Sequence, residues 1–193
     1  MKKKGSFGKL FRVLLIVFLL LLAGALGYTG TTWLSVRNIN QNAAATVQQF
    51  KQDKTTKING HDILGTITID KLDLEYPIIK YVDETSLNIA ICAFAGPGLN
   101  QSGNTLLWGK RTKNGLFFAN LGKLKANDTV QITGKDGVTL TYRLIDSYTT
   151  SITNKGIFEA SFAGEICELT LTSVSRNGAK RYVFKFIEMK PAE

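Results

Sequence analysis

The sequence contains few residues of the types that bind metals: one histidine and two cysteines among 193 residues. His61 lies in a polar segment without a partner histidine, and an isolated histidine of this kind is usually a solvated residue. Because a structural zinc site needs four ligands, mostly Cys or His at close spacing, this composition excludes one. A glycine-rich phosphate-binding loop is also missing from the sequence. We therefore expect neither a metal nor a cofactor.

The two cysteines, Cys92 and Cys167, leave two interpretations open. An even count would allow one disulfide outside the cytoplasm. Cys167, however, lies on the apolar side of an alternating segment, which is typical of a buried free thiol. Spacing along the chain does not show whether the two residues lie close enough to be bridged.

Acidic residues are missing from the first twelve positions, which hold five cations (Lys2, Lys3, Lys4, Lys9 and Arg12). The formal net charge of +9 would by itself suggest a nucleic-acid-binding protein. No comparable basic run occurs in the rest of the sequence, so the charge does not form an extended basic surface for nucleic acid. We therefore expect no nucleic-acid partner.

Charged residues are also missing from residues 13–36, "VLLIVFLLLLAGALGYTGTTWLSV". About 20 apolar residues suffice for a helix to cross a bilayer, and cations before the run favour a cytoplasmic N-terminus. The small residues Ala23, Gly24 and Ala25 leave a cleaved signal peptide as the alternative. The run is apolar on every face, which argues against a helix in a soluble core. We predict a cytoplasmic tail (1–12), a single transmembrane anchor (13–36) and an extracytoplasmic remainder.

Beyond the anchor, residues 37–62 are predicted to form a juxtamembrane helix followed by a polar linker, and residues 63–193 a β domain. Apolar residues alternate with polar ones from Ile63, which is the period of a strand buried on one face. Further alternating segments begin near Val138, Cys167 and Tyr182, and two more short strands are expected from Thr105 and Thr129. Hairpin-like turns lie at Gly134–Gly137 and Asn177–Gly178. Short helices are expected only around 84–90 and 116–121. Proline is scarce, at three residues, so extensive disorder is not expected. This pattern predicts a mainly β fold, a closed barrel or a sandwich.

Four segments in order resemble the sortase family: "GTITIDKLDLEYPII", "ICAFAGPGLNQSGNTLLWGKRTKNGLFFANLGKLKANDTVQI", "LTYRLID" and "LTLTSVSRNGAKRYVFKF". They span about residues 63 to 188, and the similarity is greatest to the small sortases of clostridia. The resemblance implies an eight-stranded β-barrel on the surface of a Gram-positive cell, at the cell wall. It also implies a transpeptidase fold in which a Cys attacks a peptide carbonyl, a His moves protons and an Arg stabilises charge.

Carrying the three sortase positions onto this sequence gives Lys110 for the His, Val174 for the Cys and Arg181 for the Arg. Valine has no nucleophilic atom, and an unperturbed lysine, with a pKa of about 10.4, is a cation at neutral pH. We therefore expect no competent catalytic residue, and instead a cationic ligand groove that includes Arg111 and Arg181.

Three interpretations of function follow. The first is a catalytically inactive sortase homologue, a pseudoenzyme that binds or scaffolds a sorting-type peptide or surface protein, with an active sortase as a further candidate partner. The second is an active transpeptidase with a relocated Ser-Lys centre, in which Ser173 or Ser175 attacks and Lys110 is the base. The third is a membrane-anchored barrel with a purely structural role.

Overall fold

The computed structural model describes residues 6–54, 56–80, 82–162 and 165–190. Contacts divide the chain into two units, residues 1–38 and residues 39–193. The described residues form one long helix and nine strands. Their bounds are α1 Ser6–Gln52, β1 Lys57–Ile58, β2 His61–Ile69, β3 Leu74–Ile79, β4 Ile91–Ala95, β5 Gly103–Trp108, β6 Thr129–Gly134, β7 Thr139–Ser151, β8 Cys167–Val174 and β9 Lys180–Glu188.

The first unit contains the most apolar part of α1. Large apolar side chains between Leu10 and Leu22 are exposed. Among the described residues, one helix, over Leu10–Gln52, is long and apolar enough to cross a membrane. The predicted anchor lies within this helix, and the predicted juxtamembrane segment begins in the same helix, which ends at Gln52.

The second unit is built on a closed eight-stranded barrel, as predicted. Its strands follow the order β2-β3-β4-β5-β8-β9-β7-β6, and β2 also pairs with β6, which closes the sheet. Most neighbours are antiparallel, whereas β3–β4 and β5–β8 are parallel. The barrel therefore has no open edge among these eight strands, and β1 adds a short pairing to β2.

The last turns of α1, from Ile39 onward, pack against the barrel. Val47 and Phe50 are fully buried, and Phe50 belongs to a cluster with Ile63, Ile79, Ala90 and Cys92. The hydroxyl of Tyr76 donates a hydrogen bond of 2.6 Å to Oδ1 of Asn40. This end of the helix is consequently part of the folded domain and not a free stalk.

The structure differs from the sequence prediction in three local features. The predicted linker contains β1 and the start of β2, which begins at His61. The alternating pattern identified neither β3, where nearly all of Leu74–Ile79 is buried, nor β4 (Ile91–Ala95), whose residues are all apolar. The predicted short helices are 3-10 turns at Ser86–Asn88 and Phe118–Lys123.

Candidate functional site

The loop that follows β5 holds Lys110 in a fixed place. A Cβ on Gly109 would lie 2.5 Å from the ring of Phe118, so only glycine fits there. The N–H of Gly109 donates to the carbonyl of Thr172, and the carbonyl of Lys110 accepts from the N–H of Phe118. The Lys110 Nζ then donates to Oδ1 of Asn88 at 2.6 Å.

Val174 and Arg181 lie directly opposite each other in the β8–β9 ladder. Because paired residues of neighbouring strands project from the same face of a sheet, the two side chains share one face. Val174 is the last residue of β8 and is half-buried. The position that the family resemblance assigns to a nucleophile therefore presents two methyl groups next to an arginine.

Arg181 is a buried arginine, and the described residues give it no anionic partner. The residue is 7% exposed, and its guanidinium carbon lies 5.6 Å from the ring centres of both Phe94 and Trp108. Its Nε has no hydrogen-bond partner among the described residues, and none of their ion pairs involves Arg181. Burial lowers the pKa of Arg181, because the charged form loses hydration. Two cation–π contacts are thus its main electrostatic compensation.

A groove of about 560 Å³ lies beside Val174. Its floor is apolar, and its walls carry charges of both signs. The lining residues are Val82, Asp83, Glu84, Leu87, Trp108, Lys110, Arg111, Val174, Ser175 and Arg176. Of the two predicted groove residues, Arg111 lines this groove, together with Lys110. Arg181 is not part of this lining but contacts Trp108, which is.

The two carboxylates of the groove, Asp83 and Glu84, were not identified from the sequence. They belong to the segment between β3 and β4, which carries no motif that would predict its contact with the β8 end. The backbone N–H of Ser86 donates to Oδ1 of Asp83 at 2.7 Å, and hydrogen bonding to Ser86 lowers the pKa of Asp83. The groove is consequently not uniformly positive, and a ligand with charges of both signs fits it better than a simple anion.

The two serines proposed as alternative nucleophiles occupy different environments. Ser173 is 1% exposed and, one residue from Val174, projects from the opposite face of β8. Ser175 lines the groove, but its hydroxyl donates to Oδ1 of Asn177 at 2.8 Å and accepts from the N–H of Lys180 at 2.9 Å. Ser175 therefore fastens the β8–β9 turn.

A strap, defined as Gly156–Phe162, covers the outer side of β5 and β8. Nδ2 of Asn104 donates to the carbonyls of Ile157 and Glu159 at 2.9 and 3.1 Å. The carboxylate of Glu168 accepts from the N–H groups of Ser161 and Phe162, at 2.8 Å each. Ile157 is fully buried in a cluster with Leu106 and Val183, next to Phe94. The sequence did not predict this covering.

Both cysteines are free and buried. Burial raises the pKa of Cys92 to about 12, with a smaller contribution from Asp83. Burial likewise raises the pKa of Cys167 to about 11, with Glu188 adding to the effect. Since the thiolate is the reactive form, neither residue is a nucleophile at neutral pH.

His61 begins β2 and pairs with Ile58 of β1. Within the residues that the structure describes, no three His, Cys, Asp or Glu side chains are grouped so that they could hold a metal ion.

Comparison with known proteins points to one family. The family model of the sortase domain matches residues 67–185. No curated protein is significantly similar to the chain.

Solved structures of sortases share the fold. The Clostridium perfringens sortase D5 transpeptidase aligns with a TM-score of 0.64 at 19% identity, over 78% of this chain and 99% of that one. Sortase A from Corynebacterium diphtheriae aligns with a TM-score of 0.61 at 18% identity, over 68% of this chain and 63% of that one. Sortase C-1 from Actinomyces oris aligns with a TM-score of 0.61 at 16% identity, over 80% of this chain and 99% of that one. At these identities the alignments establish the fold alone.

Proposed function

The chain belongs to the sortase family, and from that premise we propose that it is a catalytically inactive member that binds a sorting-type peptide or surface protein. The residue at the nucleophile position is Val174, which has no lone pair and no ionisable proton. Removing a catalytic nucleophile costs on the order of 10⁴ to 10⁶ in turnover. Lys110, at the position of the proton carrier, donates its hydrogen bond to an amide oxygen.

The observation that carries the binding proposal is that Arg181 is buried and has no ion pair among the described residues. A buried guanidinium without an anion is energetically unfavourable, and it can be retained where a ligand oxygen completes its coordination. Its contact residue Trp108 also lines the groove, so a peptide in the groove would pass close to the guanidinium. A carbonyl or carboxylate oxygen of that peptide is the expected partner.

The walls of the groove favour a peptide over a simple anion. The apolar floor formed by Leu87, Trp108 and Val174 can take up an aliphatic side chain. Asp83 and Glu84 line the same groove as Lys110 and Arg111, so the polar groups of an extended peptide would find both signs of charge. Scaffolding for an active sortase is a further role that the same binding would allow.

Membrane attachment completes the proposal. The exposed apolar part of α1 would cross the membrane once, with the cations before residue 13 on the cytoplasmic side. The barrel would then lie outside the cytoplasm, at the cell wall of a Gram-positive cell, where surface proteins are accessible.

A relocated Ser-Lys centre is the second candidate function, because Ser175 and Lys110 line the same groove. For this chemistry Ser175 would have to leave both hydrogen bonds of the β8–β9 turn. Lys110 would have to release Asn88 and lose its proton. The inactive interpretation requires neither change.

Binding of a fluorescent LPxTG-type peptide to the full chain in a neutral detergent tests the proposal. Arg181→Ala should weaken binding at least about tenfold, the effect of losing one charge-assisted hydrogen bond. The matched control is Lys135→Ala, which removes the same charge in the β6–β7 turn and should leave binding unchanged. Equal effects of the two changes, or no binding by the wild type, would favour a purely structural barrel instead.

A further inference from the structure

A second cleft, of about 340 Å³, lies next to the peptide groove and is lined by three cations: Arg111, Lys113 and Arg176. Its other polar side chains are those of Thr112, Asn120, Ser175 and Tyr182, and no carboxylate is among the described residues that line it. Arg111, Ser175 and Arg176 form the boundary with the groove, because they line both. Lys113 and Tyr182 line only this cleft, so it is a distinct site.

Arg111, Thr112 and Ser175 of the cleft wall are held by contacts with their neighbours. The guanidinium carbon of Arg111 lies 4.4 Å from the ring centre of Tyr182, a stacking contact that leaves the edge of the guanidinium free to donate. The backbone of Arg111 forms a bridge with Phe117, and the Thr112 hydroxyl accepts from the N–H of Leu116 at 2.9 Å. On the opposite side, Ser175 closes the β8–β9 turn.

None of the three cations takes part in the ion pairs found among the described residues. Asp83 and Glu84 line the adjoining groove with Arg111 and Arg176 but do not line this cleft. Three positive charges around one small cleft repel each other, and the repulsion is relieved when an anion binds between them. Two of the cations are guanidinium groups, which bind phosphate oxygens in a bidentate manner.

We propose that this cleft binds an anion that carries several phosphate groups. Three cations and no acid match a ligand with at least two negative charges, whereas a single carboxylate would leave most of the positive charge uncompensated. The ligand is recognised by its phosphates, which a soluble polyphosphorylated chain or the headgroups of anionic lipids could supply. This site goes beyond the peptide-binding function, which depends on Arg181 and the groove.

The test uses the full chain in a neutral detergent and isothermal titration with tripolyphosphate. Binding is expected at low salt and should weaken as salt is raised, because the contact is ionic. The variant Arg111→Gln/Lys113→Gln/Arg176→Gln should bind at least about tenfold more weakly, since several charge-assisted contacts are lost. The control variant Lys135→Gln/Lys155→Gln/Lys190→Gln loses the same net charge at exposed positions outside the cleft and should bind like the wild type.

Three further experiments define the ligand and separate this site from the groove. Monophosphate should bind at least about tenfold more weakly than tripolyphosphate, because it reaches fewer cations. Mixed micelles containing phosphatidylglycerol should compete with tripolyphosphate only if lipid headgroups are the source. Lys113→Gln should weaken tripolyphosphate binding and leave LPxTG-type peptide binding intact. Equal loss of tripolyphosphate binding in both triple variants, or equal affinity for monophosphate, would overturn the proposal.

Discussion

Val174 faces Arg181 across the β8–β9 ladder, so a side chain without polar atoms adjoins an arginine that is 7% exposed and has no ion pair among the described residues. In an interior of low dielectric constant an unpaired cation destabilises the fold. Retention of such a group at a groove is the arrangement expected when a ligand, and not the protein, provides the counter-charge.

Replacement of Arg181 by methionine should therefore separate stability from binding. Arg181→Met keeps most of the side-chain volume and removes the buried charge, so the free energy of unfolding should rise by about 1–3 kcal/mol. Binding of the LPxTG-type peptide should be lost at the same time. Thermal and urea unfolding of the detergent-solubilised chain give the first quantity and fluorescence anisotropy the second. A drop in stability would mean that Arg181 has a compensating partner after all.

Truncation of Phe50 should show that the end of α1 belongs to the barrel domain. Phe50 is fully buried against Ile63, Ile79 and Cys92. Phe50→Ala should therefore lower the free energy of unfolding by about 3–5 kcal/mol. The matched control is Phe50→Leu, which should lower the free energy of unfolding clearly less, because leucine fills most of the space that the phenylalanine ring occupies. A fragment that starts at Ile39 should be more resistant to urea than one that starts at Lys57. Equal stability of the two fragments would contradict the packing described here.

The buried thiols should make stability fall at high pH. With a folded-state pKa of about 12, Cys92 stays protonated after its unfolded counterpart, with a pKa near 9.0, has ionised. The protonated Cys92 contributes fully to the free energy of unfolding below pH 9. This contribution is lost as the pH rises toward 12, at up to about 1.4 kcal/mol per pH unit. Urea unfolding between pH 8 and 11 should show a shallower loss for Cys92→Ala than for the wild type. If the free energy of unfolding falls equally with pH in the wild type and in Cys92→Ala, Cys92 has the same pKa in the folded and the unfolded chain.

Introduction of a cysteine at position 174 should create a reactive thiol. Val174 is half-buried and lines the groove together with Lys110 and Arg111, and nearby cations lower the pKa of a thiol. Iodoacetamide at pH 7 should modify Val174→Cys at least about tenfold faster than Cys92 or Cys167, as peptide mass spectrometry would report. The control is Thr170→Cys, on the same face of β8 but buried. Similar rates at both positions would place residue 174 outside the basic groove.

Sequence patterns predicted most of the barrel because its strands alternate between a buried and a more polar side. They failed for β3, where both faces are covered, one of them beside the end of α1. They also failed for β4, because its five residues are all apolar and show no alternation. Likewise, the polar composition of residues 53–62 indicated a linker, yet backbone pairing with β2 makes Lys57–Ile58 a strand.

The family resemblance assigned Lys110, Val174 and Arg181 to the catalytic positions, and the ladder pairs Val174 with Arg181. The burial of Arg181 could not be predicted, because it depends on the rings of Phe94 and Trp108 from other strands. The carboxylates of the groove and the strap also depend on contacts between segments far apart in the sequence. Alternation and motif spacing carry no information about such contacts.

The central claim is tested most directly by incubating the wild-type full chain with an LPxTG-type peptide and an amine acceptor, followed by mass spectrometry. We predict that the peptide binds but that neither a cleaved peptide nor a new amide product is formed, and that an alkylating agent changes nothing. Cleavage that is lost in Ser175→Ala would establish the Ser-Lys alternative. Cleavage that persists in Ser173→Ala and Ser175→Ala but disappears in Cys92→Ala would contradict the account and show that the nucleophile lies elsewhere.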